Sequence, residues 1–166
     1  MKKVISFVIL VCLTVCFAAC TAESVALDKS PKQVADAVIA AFPEYAELVY
    51  DYSGENEAEE VLMFMYGVYD EDCLAAVSDF VISERLGMTA LTLAVVKFKD
   101  GTSAEIIDRT ADLIVSEYVD SLSSALAMYS PDESALAKQY TLKKYDNALV
   151  LVIHGEDNDD VFAVID

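Results

Sequence analysis

The sequence has none of the short motifs by which common catalytic and nucleotide-binding sites are recognised. Its five glycines are all isolated, so no glycine-rich loop is available to cradle a phosphate, and it contains no GxSxG, HExxH or CxxC pattern. The single histidine, His154, ends an apolar run just before Gly155 and has no candidate nucleophile beside it. These absences predict a protein that is not an enzyme.

Positive charge is also scarce. Lysine and arginine together number 11 against 29 aspartates and glutamates, and none occurs between Lys32 and Arg85. A formal net charge of −18 excludes nucleic acid as a partner. The same charge repels anionic lipid headgroups, which predicts that the folded domain sits off a bilayer surface.

The N-terminus carries the one feature that points to a destination. Lys2 and Lys3 precede an apolar run over residues 4–17, and small residues lead directly into a cysteine in Phe17-Ala18-Ala19-Cys20. This arrangement is similar to a bacterial lipobox, with phenylalanine where leucine is commonest. It predicts a signal peptide over residues 1–19, cleavage between Ala19 and Cys20, and lipidation of Cys20.

Three other interpretations of the N-terminus remain: an ordinary secretory signal, an uncleaved transmembrane helix and a buried helix. The apolar run is shorter than the ~18 residues that a membrane span needs. Two or three acyl chains, at ~0.8 kcal/mol for each buried methylene, would hold the protein stably on a membrane. We therefore expect an extracytoplasmic protein, lipid-anchored to the cell membrane through Cys20.

Cleavage would leave Cys73 as the only unmodified cysteine, so no intramolecular disulfide could form. The acidic residues that precede Cys73, Asp70-Glu71-Asp72, raise the pKa of a thiol and so disfavour a nucleophile. Cys73 is interpreted as a small buried hydrophobe.

The remaining chain predicts a tether over residues 20–29, ~30 Å when fully stretched, and a single domain over residues 30–166. Ser30-Pro31 indicates a helix start, with the helix running over residues 31–42. A second helix is expected over residues 57–66, ended by Gly67. Thr102 and Glu105 have the spacing of a capping box that opens a long amphipathic helix, which continues to Ser130-Pro131.

Strand-like patterns occur in two pairs, over residues 77–83 with 90–98 and over residues 139–145 with 148–154. Asp146-Asn147 suits the tight turn of the second pair. Residues 161–165 predict a last helical turn or short strand. Together these elements predict a two-layer α+β domain, in which the long helix covers a four-stranded, largely antiparallel sheet.

Several of these features occur together in one known group of proteins. The features are Tyr66-Gly67, the acidic turn after it, a hairpin ending in Val95-Val96-Lys97-Phe98, the long helix and a closing Asn147-Ala148-Leu149-Val150 strand. In this combination the chain resembles a family of small Gram-positive bacterial lipoproteins, catalogued as a domain of unknown function. The resemblance covers most of the chain after residue 19. It implies location and fold, and it transfers no active site.

Two acidic features are candidates for binding. Tyrosines and acids interleave over residues 44–69. This pattern indicates a contact patch for a cationic or carbohydrate partner. Alternatively, the tyrosines lie at the edge of the core and the acids form a solvated face. Weak candidates for calcium ligands are Glu156, Asp157, Asp159 and Asp160, although they lack the spacing of an EF-hand. Neither a resident metal nor a cofactor is predicted.

The sequence thus favours a noncatalytic binding or interaction module at the cell envelope, which binds a protein or a wall component near the membrane. A solute-binding or calcium-binding lipoprotein is the alternative. A small envelope hydrolase comes last, and it requires His154 to face a cleft beside acids.

Overall fold

The computed structural model describes residues 25–52, 58–84, 87–155 and 158–166, and the structure below is that of these residues. They form an α+β domain with five strands and six α-helices. The strands are β1 (Val49–Tyr52), β2 (Val77–Glu84), β3 (Thr92–Phe98), β4 (Thr141–Lys144) and β5 (Ala148–Ile153). The helices are α1 (Pro31–Ala41), α2 (Ala58–Tyr66), α3 (Glu71–Ala76), α4 (Ala104–Leu113 continued by Ile114–Val119 and Asp120–Ala127), α5 (Pro131–Ala137) and α6 (Asn158–Ile165). A short 3-10 helix, Pro43–Glu47, follows α1.

The five strands form one sheet in the order β1-β2-β3-β5-β4, and every neighbouring pair is antiparallel. The central strands β3 and β5 are buried along nearly their whole length. Val95 lies opposite Val81 on one side and Val150 on the other. Because successive side chains point to opposite faces, strands that are apolar at every position need cover on both faces of the sheet.

Both faces are covered. One face, which includes Phe80, Val96 and Leu151, packs against α2, α3 and α4. The other, which includes Val95 and Val150, packs against α1 and α6. Helices therefore lie on both sides of a central sheet, and the predicted two-layer arrangement is wrong.

The α+β class, the antiparallel sheet and the long helix are confirmed, and α4 extends over 24 residues. The predicted number of strands is wrong, because β1 adds a fifth at the edge beside β2. The predicted capping box is also wrong. Ser103 is the N-cap and accepts a hydrogen bond from the Ile106 amide, while the Thr102 hydroxyl donates to the Lys99 carbonyl at 2.7 Å.

Residues 25–29 form a strap that lies against one end of the domain. Leu27 is 4% exposed, and its amide and carbonyl both bond to the Asn147 side chain, at 2.8 and 3.2 Å. The Lys97 ammonium donates to the Leu27 carbonyl, and the Lys29 ammonium donates to the Ile165 carbonyl at 2.7 Å. These contacts join the start of the described chain to β3, to the β4–β5 turn and to α6.

Candidate functional site

A groove of about 450 Å³ lies between the end of α2 and the middle of α4. A volume of this size is in the range of binding sites for ligands and for side chains of partners. The described residues that line it are Phe64, Met65, Gly67, Tyr69, Ser83, Glu117, Tyr118, Ser121, Leu122 and Ala125.

Large apolar side chains stand exposed along this groove. Phe64 is 74% exposed and Tyr69 is 61% exposed. Met128 and Tyr129, just after the C-terminal end of α4, are also exposed, but they are not among the described lining residues. Exposed aromatic side chains that converge on a concavity are typical of sites that bind partners, because they offer contact area with little loss of conformational entropy.

Tyr118 lines the groove and stacks on Tyr66, which is buried beneath it. The rings of Tyr66 and Tyr118 are 4.1 Å apart at their centroids and nearly parallel. The Tyr66 hydroxyl donates to the Ser83 carbonyl at 3.0 Å, and the Tyr118 hydroxyl lies 3.0 Å from the Thr92 hydroxyl. Complete burial raises the pKa of Tyr66 well above its ordinary value. Tyr118 at the groove is therefore supported from below by a buried, hydrogen-bonded tyrosine.

The wall of the groove departs from regular helix. Residues Ile114–Val119 of α4 adopt the wider π-helical form, a feature found often at functional sites. Opposite them Gly67 ends α2 with a positive φ of 71° and lies so close to α4 that a Cβ there would overlap the Cβ of Glu117. Glycine at position 67 thus permits the close approach of α2 to α4.

The groove carries negative charge. Glu117 is exposed in its lining, and none of the described lining residues is a lysine or an arginine. The sequence has no cation over residues 33–84 or 110–137, the segments that supply the groove, and Arg85 lies outside the described residues. Electrostatic complementarity therefore favours a cationic ligand.

His154 lies in a separate cavity of about 200 Å³. Its ring stacks on Tyr45, and its Nε2 atom is 3.4 Å from a carboxylate oxygen of Glu44. Its Nδ1 atom is buried and has no hydrogen-bond partner among the described residues. Glu133, which also lines the cavity, accepts a hydrogen bond from the Ala90 amide at 2.6 Å.

His154 thus faces a cleft beside two acids, which is the placement that the hydrolase interpretation requires. The nucleophile that such a mechanism needs is not in place, since no serine or cysteine belongs to the described lining of this cavity. The Thr89 hydroxyl accepts a hydrogen bond from the Leu91 amide. The Glu44 carboxylate can orient the imidazole, but the described residues do not assemble a catalytic triad.

Cys73 is fully buried under α4, with its sulfur 3.9 Å from the Ile106 carbonyl oxygen. Burial raises the pKa of the thiol, and the Asp70 carboxylate adds to the effect. The prediction that Cys73 is buried is confirmed.

The acidic clusters occupy helix starts. Asp159 and Asp160 are exposed in the first turn of α6, where negative charge is favoured by the helix dipole, and their predicted companions Glu156 and Asp157 lie outside the described residues. Asp70 caps α3 through the Cys73 amide and pairs with Arg109 at 3.0 Å. Within the described ranges, no group of three or more acids, histidines or cysteines is placed to hold a metal.

The predicted cleavage and lipidation residues, Ala19 and Cys20, lie outside the described residues. Among the helices that the structure does describe, none has both the length and the apolarity of a membrane span.

Comparison with protein-family models, with curated proteins and with solved structures finds no match for this chain. Its function is therefore inferred from its own residues and their geometry.

The tyrosine-rich segment divides between core and surface. Tyr45 and Tyr66 are fully buried, whereas Tyr69 reaches the groove. The sequence patterns singled out neither Phe64 nor Tyr118 as a site residue. Residues 62–66 are all large and apolar, and a helix that covers a core on one side must present one of them to solvent. That signal predicts an exposed large apolar side chain in this segment, and the structure shows that it is Phe64.

Proposed function

We propose that this protein is a membrane-anchored, extracytoplasmic lipoprotein whose α2–α4 groove binds a cationic segment of an envelope protein without catalysing a reaction. The observation that carries the proposal is the groove itself, where exposed aromatic side chains and Glu117 meet with no cation among the described lining residues. Apolar side chains of the partner would pack on Phe64. Its lysines or arginines would lie over Tyr69 and beside Glu117.

The location in this proposal is supported by the sequence. The lipobox-like Phe17-Ala18-Ala19-Cys20 and the resemblance to small Gram-positive bacterial lipoproteins both favour an anchor at Cys20. A partner at the envelope would then be met close to the membrane.

A solute-binding role is the second candidate, favoured by the volume of the groove. About 450 Å³ is enough for a small organic ligand. The groove is open and acidic, however, which favours an extended cationic segment over an enclosed solute. Calcium binding has no comparable support, because the described candidates Asp159 and Asp160 lie exposed in the first turn of a helix.

The groove is tested with synthetic peptides about ten residues long that combine lysine or arginine with phenylalanine and leucine, compared with matched peptides in which glutamate replaces each cation. Binding is followed by amide chemical shifts of the domain. We expect the cationic peptides to shift resonances of residues around the groove, and the acidic peptides to shift none. Equal responses to both sets, or shifts centred on another surface, would refute the assignment of the groove.

Replacing Phe64 with alanine should separate binding from folding. Because Phe64 is 74% exposed, the Phe64→Ala protein should retain its free energy of unfolding within about 0.5 kcal/mol. Its affinity for the cationic peptides should fall about tenfold, the loss typical of an aromatic anchor. Val25→Ala, an exposed apolar truncation at the strap, is the matched control and should leave the affinity unchanged. Equal affinities of all three proteins would exclude Phe64 from the site.

The anchor is tested by fractionating cells that produce the wild type or a Cys20→Ser protein. Only a cysteine at position 20 can accept the diacylglyceryl thioether, so the wild type should be recovered with membranes and Cys20→Ser should not. Mass spectrometry of the mature N-terminus provides the independent readout. If both proteins fractionate alike, the lipobox interpretation is wrong.

A further inference from the structure

The strap and the groove lie at opposite ends of the sheet. Asn147, which binds the strap, also accepts a hydrogen bond from the Phe98 amide, and Phe98 lies opposite Val77 at the start of β2. Ser83, at the far end of the same strand, lines the groove. Six steps along the strand lead from Val77 to Ser83, a distance of ~20 Å.

The long helix runs between the same two ends. Asp108, near its start, pairs at 2.7 Å with Lys144. Lys144 lies at the strap end, because it lines a further cavity together with residues 25–29. Leu122, near its end, lines the groove, and Met128 follows. At 1.5 Å per residue, Met128 lies ~30 Å from Asp108 along the helix axis.

The anchor is attached close to the strap end. Because Val25 already bonds to the domain through its carbonyl, which accepts from the Asp146 amide at 3.3 Å, only residues 21–24 separate the docked strap from Cys20. The five Cα–Cα steps from Cys20 to Val25 span at most about 17 Å. With the groove resting on the bilayer, Val25 would stand ~20 Å or more above it, which is beyond this reach.

We propose that the strap end of the lipidated protein faces the phospholipid headgroups and that the α2–α4 groove faces away from the membrane, an orientation set by the docked strap and the short chain to Cys20. This inference rests on the proposed lipid anchor. The groove would then be presented outward, toward a partner at the envelope.

The distribution of charge is compatible with this orientation. Lys29, Lys97, Lys143 and Lys144 all lie at the strap end, and they are four of the nine cations that follow Cys20. They are surrounded by acids, since Lys143 pairs with Asp166 and Lys144 with Asp108. The four cations offset part of the repulsion that the net charge of the whole chain produces at the end that faces the headgroups.

The test uses full-length lipidated protein, purified from membranes and reconstituted in vesicles of phosphatidylcholine and phosphatidylglycerol that contain a headgroup nitroxide quencher. A fluorophore is attached to Asp146→Cys at the strap end or to Met128→Cys beyond the groove. Cys73 is fully buried and is left unlabelled. Because a nitroxide quenches only at short range, we expect several-fold stronger quenching at position 146 than at position 128.

Two changes should abolish this difference. Asn147→Ala removes both side-chain bonds to Leu27 and so weakens the docking of the strap. In case that variant folds poorly, an insertion of about ten glycine and serine residues after Thr21 lengthens the tether and leaves the described residues intact. For both variants we expect the ratio of quenching at the two positions to fall toward one.

The outcomes separate the two proposals. Protein that floats with the vesicles but is quenched equally at both positions, or more at position 128, retains the anchor and overturns the orientation. A difference that persists with the lengthened tether also overturns it, since chain length would then not set the orientation. Failure of the wild type to float would remove the anchor and the orientation together, and mass spectrometry of the N-terminus would show the missing lipid.

Discussion

Raising the pH above about 10 is expected to destabilise this domain, because the tyrosines buried in it keep their protons to higher pH in the folded state than in the unfolded chain. Burial is the main cause that raises the pKa of each of four tyrosines above the ordinary value. The four are Tyr45, Tyr50, Tyr66 and Tyr145. Tyr45 and Tyr66 have no exposed surface at all.

The sign of the effect follows from the proton balance. In the unfolded chain a tyrosine loses its proton near pH 10, whereas in the folded domain these tyrosines keep theirs to higher pH. The unfolded state therefore binds fewer protons above pH ~10, and the free energy of unfolding falls as the pH rises. Each such tyrosine contributes a slope of ~1.4 kcal/mol per pH unit. Tyr45 and Tyr66 together therefore give a slope of ~2.8 kcal/mol per pH unit. The less deeply buried Tyr50 and Tyr145 act in the same direction.

Urea unfolding between about pH 9 and pH 11.5 measures this slope directly, and tyrosinate absorbance reports the ionisation. Tyr45→Phe and Tyr66→Phe should each lower the slope by ~1.4 kcal/mol per pH unit, which corresponds to one proton. The control is Tyr129→Phe, which alters a side chain that is 69% exposed and should leave the slope unchanged. A slope that is insensitive to both core substitutions would show that their ionisation is not linked to unfolding.

Replacing Gly67 with alanine is expected to destabilise the domain by about 2–5 kcal/mol, the sum of a strained positive φ and overpacking. The φ of 71° at Gly67 is unfavourable for any residue with a Cβ. The added Cβ would also overlap the Cβ of Glu117, so α2 and α4 would have to separate. Equilibrium urea unfolding measures the loss of stability.

Gly101→Ala is the matched control for Gly67→Ala. Gly101 also has a positive φ, of 83°, but no atom lies within 4 Å of the position that its Cβ would occupy. Its substitution should cost only the backbone strain, about 1–2 kcal/mol. The difference between the two variants isolates the α2–α4 contact. Equal losses would mean that the two helices are not packed as closely at Glu117 as the structure shows.

Local sequence patterns predicted only part of the groove. The pattern of tyrosines and acids over residues 44–69 left open whether they form a contact patch or edge the core, and Gly67 was predicted separately to end a helix. The pairing of Tyr66 with Tyr118 joins residues 52 positions apart in the sequence. No local signal encodes such a contact, which forms only when α2 and α4 pack on the same face of the sheet.

β1 was missed for a related reason. Its four residues, Val49–Tyr52, have no buried face of their own and are half-buried or exposed. They become a strand by pairing with residues 81–84 at the edge of the sheet. Pairing with a distant strand is a tertiary contact, so a short edge strand gives little periodic signal.

The elements that depend on neighbouring residues could be predicted from the sequence alone. Ser30-Pro31 starts α1, Gly67 ends α2, and apolar residues at both parities make β3 and β5 central strands. By contrast, the covering of both sheet faces by helices and the docking of the strap at the end opposite the groove could not be predicted from local sequence, because they depend on how distant segments pack. The reason is the separation of the partners: Leu27 bonds to Asn147 across 120 residues, and the energy of such contacts depends on the whole fold rather than on the local chain.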